Sequence, residues 1–150
     1  FFMKVEKINK NNEKIHVTVA AMFFKDDKVL IIQKADPAYN KKYSIVAGHV
    51  EEGESIEDAL LREVAEETGL NISEYTLMES FKELKDSCRY GVNLHDWHVY
   101  RIEHEIDIDK IDFDKEEIIA LHWVSLSELP SMKEYFTSGS KSMFTALGLF

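Results

Sequence analysis

Three glutamates, Glu63, Glu66 and Glu67, stand at positions i, i+3 and i+4 of one segment. If that segment is helical, the spacing stacks three carboxylates on one side of it. On a helical wheel Glu67 falls close to Leu60, and Glu63 falls between Leu60 and Ala59. The acidic cluster therefore borders the apolar stripe and does not lie opposite it. Like charges partly withdrawn from water repel one another unless something positive compensates. A hard divalent cation such as Mg2+ suits that task, because it takes oxygen ligands and bridges one or two carboxylates to substrate phosphates. Three glutamates alone also describe a solvated helix face, so the residues around them must decide.

The segment that must position them is 55–68, the best helix in the chain. Ser55 is a suitable N-cap with Asp58 three residues on, Gly69 suits the position after the last turn, and Ile56, Ala59, Leu60 and Val64 recur at helical spacing. Before it, 16–24 (HVTVAAMFF) and 29–33 (VLIIQ) read as strands joined by the turn Lys25-Asp26-Asp27-Lys28, a hairpin, followed by a loop over 35–42. Further strands are expected near 75–81, 92–102 and 118–124. An acidic loop is expected at 107–114. Helical stretches are expected at 127–136 and 141–147, split by Gly139. Strands mixed with two or three helices give an α+β class, a sheet flanked by helices.

The stretch GHVEEGESIEDALLREVAEETGL, residues 48–70, resembles the Nudix box: a glycine, five residues, Glu, seven residues, Arg-Glu, an aliphatic, any residue, Glu-Glu, any residue, Gly and an aliphatic. All specified positions are matched, by Gly48, Glu54, Arg62, Glu63, Val64, Glu66, Glu67, Gly69 and Leu70. With this composition an accidental match has a chance on the order of 10^-8. Lys28 to Lys34 resembles the strand before the box, and His122 to Leu129 the strand and turn that close the fold. Members often carry Pro-Gly-Gly where this chain has Val46-Ala47-Gly48, a departure in local loop shape.

The resemblance to the Nudix (MutT-like) hydrolases implies a mixed sheet between helices with a catalytic loop-helix-loop, in one domain over 1–150. It implies Mg2+-dependent hydrolysis of a diphosphate linkage in a small nucleotide-like molecule, with Mn2+ as a substitute metal. Glu63, Glu66 and Glu67 would bind the metal, with the Gly48 carbonyl as an added ligand. Arg62 and Glu54 would hold the carboxylates in position. Glu117, from a loop before the last strand, is the first choice as additional ligand or base; Glu116, Glu103 and Glu105 are weaker choices. The general base is Glu63 or Glu117. Among aromatics able to stack on a base, Tyr135 and Phe23 are singled out, with Tyr39, Tyr43 and Trp97 behind them.

A nucleoside triphosphate cut to monophosphate and pyrophosphate is the expected substrate. ADP-ribose, another nucleotide sugar or a dinucleotide is the alternative, as is a ligand-sensing domain without turnover. Related ADP-ribose enzymes often carry a proline some fifteen residues past the box, and 71–129 contains none. An isomerase on the same fold would need a cysteine placed with a glutamate, and Cys88 is the only thiol.

The net charge of -10 argues against nucleic-acid polymers as partners, which want a basic surface. No apolar run is long enough for a bilayer span, and the start has no secretory pattern. Phe1 and Phe2, ahead of Met3, are assigned no function. A lone cysteine forms no internal disulfide, which fits the cytoplasm. A homodimer is compatible with the family. His49, His95, His98 and His122 show no recognisable zinc spacing, and no triad signature surrounds Cys88.

Overall fold

The computed structural model describes residues 3–150, so Phe1 and Phe2 lie outside the described residues. The strand that organises the molecule is β2 (Lys14–Lys25), whose interior residues are almost all buried because both of its faces are covered. It pairs antiparallel with β1 (Glu6–Ile8) and β5 (Val46–His49), and in parallel with β7 (Leu94–Ile102). The strand β3 (Lys28–Lys34) meets β2 only at the hairpin tip, through Phe24↔Val29 and Lys25↔Lys28. It then diverges to pair with β4 (Tyr43–Ser44) and β8 (Ile118–Ser125), while β6 (Tyr75–Lys85) closes the far edge on β7. The expected hairpin is therefore present but opens after one turn.

Side chains on a strand alternate between faces. On β2, Val17, Val19, Ala21 and Phe23 enter one core and Ala20 and Met22 the other. The first core is covered by helix α1 (Ile56–Thr68) through Ala59, Leu60 and Val64. Its ends are set as the sequence predicts. Ser55 accepts a hydrogen bond from the Asp58 N–H at 3.0 Å, and Gly69 takes the left-handed conformation (φ 74°) that ends the helix. The second core is covered by the C-terminal segment, where Phe136 and Phe144 pack edge to face, with Met143 fully buried beside them.

The C-terminal region departs from expectation in two ways. The segment 127–136 forms a 3-10 helix over Leu129–Tyr135, with Pro130 in its first turn and no side-chain cap from Glu128. Gly139 does not split a helix but lies inside α2 (Ser138–Ala146), which begins instead at the Thr137 cap. A Cβ at 139 would come within 2.9 Å of the Trp97 ring, so glycine here permits close packing. Among the described residues no helix is long and apolar enough to cross a membrane. The mixed sheet with helices on both sides is the α+β architecture read from the sequence.

Candidate functional site

The site forms where α1 lies against β5. Gly48 faces α1, and the Glu63 carboxylate presses on its backbone so closely that a Cβ there would sit 2.0 Å from Glu63 Cδ. Only glycine leaves room for that approach. One turn on, Glu67 is buried. Its Oε1 accepts a long hydrogen bond from the Ala47 N–H at 3.4 Å, while its Oε2 has no partner. Glu66 stands farther out on the same side.

Arg62 ties the cluster together. Its Nε and Nη2 donate to the two oxygens of Glu54 at 3.1 and 2.7 Å, the bidentate geometry that matches guanidinium to carboxylate. Nη2 also donates to the His49 carbonyl at 2.9 Å, and Nη1 to Glu63 Oε1 at 2.8 Å and Glu66 Oε2 at 3.4 Å. Glu54 in turn accepts from the Glu51 N–H at 2.8 Å. Burial opposes the Glu54 charge, but the bonds from Arg62 and the Glu51 amide outweigh it and lower its pKa. One guanidinium thus joins the loop before the helix, the helix itself and β5.

The remaining carboxylates are undercompensated. Burial raises the Glu63 pKa from 4.5 to about 7, against the pull of Arg62. Burial raises Glu67 from 4.5 to about 8, with Lys34 opposing and the charges of Glu63 and Glu117 adding. A buried oxygen without a donor, two carboxylates that resist ionising and an all-oxygen donor set fit a hard divalent cation. The cleft holding them has a volume of about 210 Å³ and is also lined by Lys4, Lys34, Arg89 and Glu117. It adjoins a larger cavity of about 400 Å³ through shared walls at Tyr39, Gly48 and His49, with Trp97 and Ser138 on the larger cavity's own lining. His49 is held neutral, its pKa lowered to about 3 by burial and then by His95 and His16.

Gly48, Glu54, Arg62, Glu63, Glu66, Glu67 and Glu117 are thus brought together around one cleft. The two aromatic candidates are not. Phe23 is fully buried in the core under α1, since β2 is covered on both faces, so it offers no stacking surface. Tyr135 is 64% exposed at the end of the 3-10 helix and lines neither cavity. Tyr39 and Trp97 line the larger cavity instead, with Lys34 over the Tyr39 ring at 5.1 Å. Lys34 and Arg89 were not singled out by the sequence; one ends β3 and the other lies in the β6–β7 loop, far from the box.

Two predictions follow from this geometry. Because Glu63 and Glu67 hold protons in the folded state that the unfolded chain has lost, the metal-free protein should lose stability as pH rises from about 4.5 towards about 8. Bound cation requires the charged carboxylates, so Mg2+ affinity should rise over the same window, with protons released on binding. Calorimetric titrations at several pH values, in buffers of different ionisation enthalpy, read both; a pH-independent affinity without proton release contradicts the assignment. Secondly, Arg62→Lys retains charge but not the fork. It should lower kcat by about tenfold or more, the scale for losing an outer partner of a metal ligand, while changing KM less. Steady-state kinetics checks the split.

Comparison with known proteins agrees with the geometry. The family model of the NUDIX domain matches residues 14–147. The ADP-ribose pyrophosphatase of Methanocaldococcus jannaschii is 39% identical over 54 residues, 36% of this chain and 32% of that protein. The NAD-capped RNA hydrolase NudC of Escherichia coli O1:K1 / APEC is 29% identical over 106 residues, 71% of this chain and 37% of that protein. The chain thus spans about a third of the length of these two curated relatives. The crystal structure of a MutT NUDIX hydrolase from Burkholderia pseudomallei superposes with a TM-score of 0.68 at 22% identity, covering 86% of this chain and 95% of that one. With the box complete, its carboxylates gathered on the Gly48 backbone and the family model spanning nearly the whole chain, the protein belongs to the NUDIX domain family.

Proposed function

We propose that residues 1–150 form one Nudix hydrolase domain that cleaves a diphosphate linkage in a nucleoside-diphosphate-linked small molecule. The observation that carries the reading is the pair Glu63 and Glu67, half-buried and buried against β5, with one oxygen of Glu67 left unpartnered. Glu63, Glu66 and Glu67 would hold the cation, and the Gly48 carbonyl would add a ligand. A divalent metal, Mg2+ or Mn2+, supplies charge neutralisation at the diphosphate and acidifies a water when bound. Lys34, Arg89 and Lys4 give the substrate phosphates their remaining positive partners in an otherwise acidic cleft. The proton from water goes to Glu63 or to Glu117; the exposed Glu117 at the cleft can pass it to solvent. Arg62 and Glu54 position the ligands. A cytoplasmic setting goes with this reading, supported by the single unpaired thiol.

Replacing Glu67 by Gln preserves shape and removes the charge. Turnover should fall by about two orders of magnitude, the scale for losing one essential electrostatic contact, with the circular dichroism spectrum unchanged. Near-normal turnover, or full activity in chelator, contradicts the metal role. Absence of turnover in the unmodified chain on every compound, with tight binding of one, would instead favour a ligand-sensing domain.

For the substrate we favour a nucleoside triphosphate, cut to monophosphate and pyrophosphate. The support is that one cavity of nucleoside scale, with Tyr39 and Trp97 as aromatic walls, opens onto the carboxylate cleft. ADP-ribose is the second reading, favoured by the M. jannaschii relative. Measured at saturating Mg2+ with products separated by chromatography, kcat/KM should be modest on several triphosphates. A preference for ADP-ribose above about tenfold, roughly 1.4 kcal/mol in the barrier, reverses the order of these two substrates and leaves the hydrolase intact.

A further inference from the structure

The opposite face of β5 carries a second group of metal-ligating side chains. His16 on β2 stands directly across from His95 on β7, and His49 on β5 pairs with Thr18, two residues along β2 from His16. The pleat therefore sends all three imidazoles to one face, away from α1. Their ring centroids lie 5.0 Å (His16–His49), 5.9 Å (His16–His95) and 5.4 Å (His49–His95) apart. The β6–β7 loop lays Cys88 over them, its Sγ 3.9 Å from His16 Nδ1. One nitrogen from each ring and the sulfur all fall within 4.8 Å of one another.

We propose that His16, His49, His95 and Cys88 form a tetrahedral site for zinc or a similarly thiophilic divalent metal, separate from the Nudix carboxylates. Zinc bound at its usual Zn–N and Zn–S lengths spaces its ligands roughly 3.4–3.7 Å apart, which small rotations about χ1 and χ2 reach from the observed separations. Edge-to-face packing of neutral imidazoles is the competing account. It leaves the Nε2 atoms of His49 and His95 buried without any hydrogen-bond partner, a cost that ligation removes. His95 is only 1% exposed.

The far nitrogens of His16 and His95 are placed as metal-bound imidazoles require. His16 Nε2 lies 3.2 Å from Glu6 Oε1, leaving Nδ1 towards the cluster. His95 Nδ1 lies 2.8 Å from Asp86 Oδ1, a close contact out of line for a hydrogen bond as it stands, leaving Nε2 towards the cluster. Asp86 is itself fixed by Trp97 Nε1 at 3.0 Å. A carboxylate behind each of two ligating histidines orients the rings and raises their basicity. A thiolate with three imidazoles selects zinc over Mg2+, which prefers oxygen. With four protein ligands the site is closed, so its role is structural. It fastens the 86–93 loop to the sheet and with it Arg89, which reaches both cavities.

Cobalt(II) is the probe, because thiolate ligation gives it a charge-transfer absorption that oxygen ligands do not. Metal-stripped, reduced protein in excess Mg2+ should bind about one equivalent of Co2+ with that band, and Zn2+ should displace it. Cys88→Ser should abolish the band and weaken Zn2+ by about 100-fold or more, beyond the usual loss of an outer partner. His16→Asn should weaken Zn2+ comparably, which covers the case in which the serine variant folds poorly. The Glu63→Gln, Glu67→Gln double variant should keep the band and the Zn2+ affinity, locating the metal away from the box. Absence of the band in the unmodified protein, or Zn2+ affinity in the Cys88→Ser and His16→Asn variants equal to that of the unmodified protein, overturns the proposal.

Discussion

Carboxylates forced together between α1 and β5 impose the constraint on which this structure depends. Each of the box glutamates would be harmless on a solvated helix face. Pressed against a backbone and largely withdrawn from water, Glu63 and Glu67 repel each other, and their neutral forms gain. Arg62 relieves part of the strain by donating to Glu54, Glu63, Glu66 and the His49 carbonyl at once. It cannot serve Glu67, whose Oε2 stays unpaired. The helix therefore docks with a buried carboxyl that lacks a partner, at the point where the proposed cation would sit.

That constraint explains local choices that would otherwise look arbitrary. Gly48 is small because Glu63 occupies the space of its Cβ. Glu54 lies eight residues before Arg62 because the loop must fold back to meet the guanidinium, and Ser55 then starts the helix at once with its own cap. The buried stripe of Ala59, Leu60 and Val64 fixes the helix rotation, which decides which carboxylates face β5. Apolar burial thus aims the polar groups, and the Arg62 network fixes their final orientation.

How much of this was legible follows from where the information lies. The box is contiguous, so residue type and spacing alone predict its helix, cap, terminating glycine and acidic face. The strands β2 and β3 are legible because their β-branched, apolar runs are buried. Contacts assembled by the sheet are not legible in the same way. Phe23 and Tyr135 looked suitable as aromatics near the right segments, but the pleat sends Phe23 into the core and the 3-10 turn leaves Tyr135 in solvent. Lys34 and Arg89 reach the cleft from outside the box, and neither side chain is marked by its own spacing. Gly139 looked like a breaker because its propensity is poor, yet its contact with Trp97 overrides propensity.

The same pleat gives β5 two unlike faces within two residues. Gly48 meets the oxygen-rich side, where hard cations are favoured, and His49 meets a side of nitrogens and one sulfur, where soft ones are. No linear spacing could announce the second group, since its members come from β2, β5, β7 and a loop. Register does: His16↔His95 and Thr18↔His49 are consequences of how β2 pairs on both of its edges. The Arg62 bond to the His49 carbonyl then links the two faces through one backbone segment. A shift of β5 by a single residue would break both at once, since it would put the histidine under α1 and the glycine over the cavity.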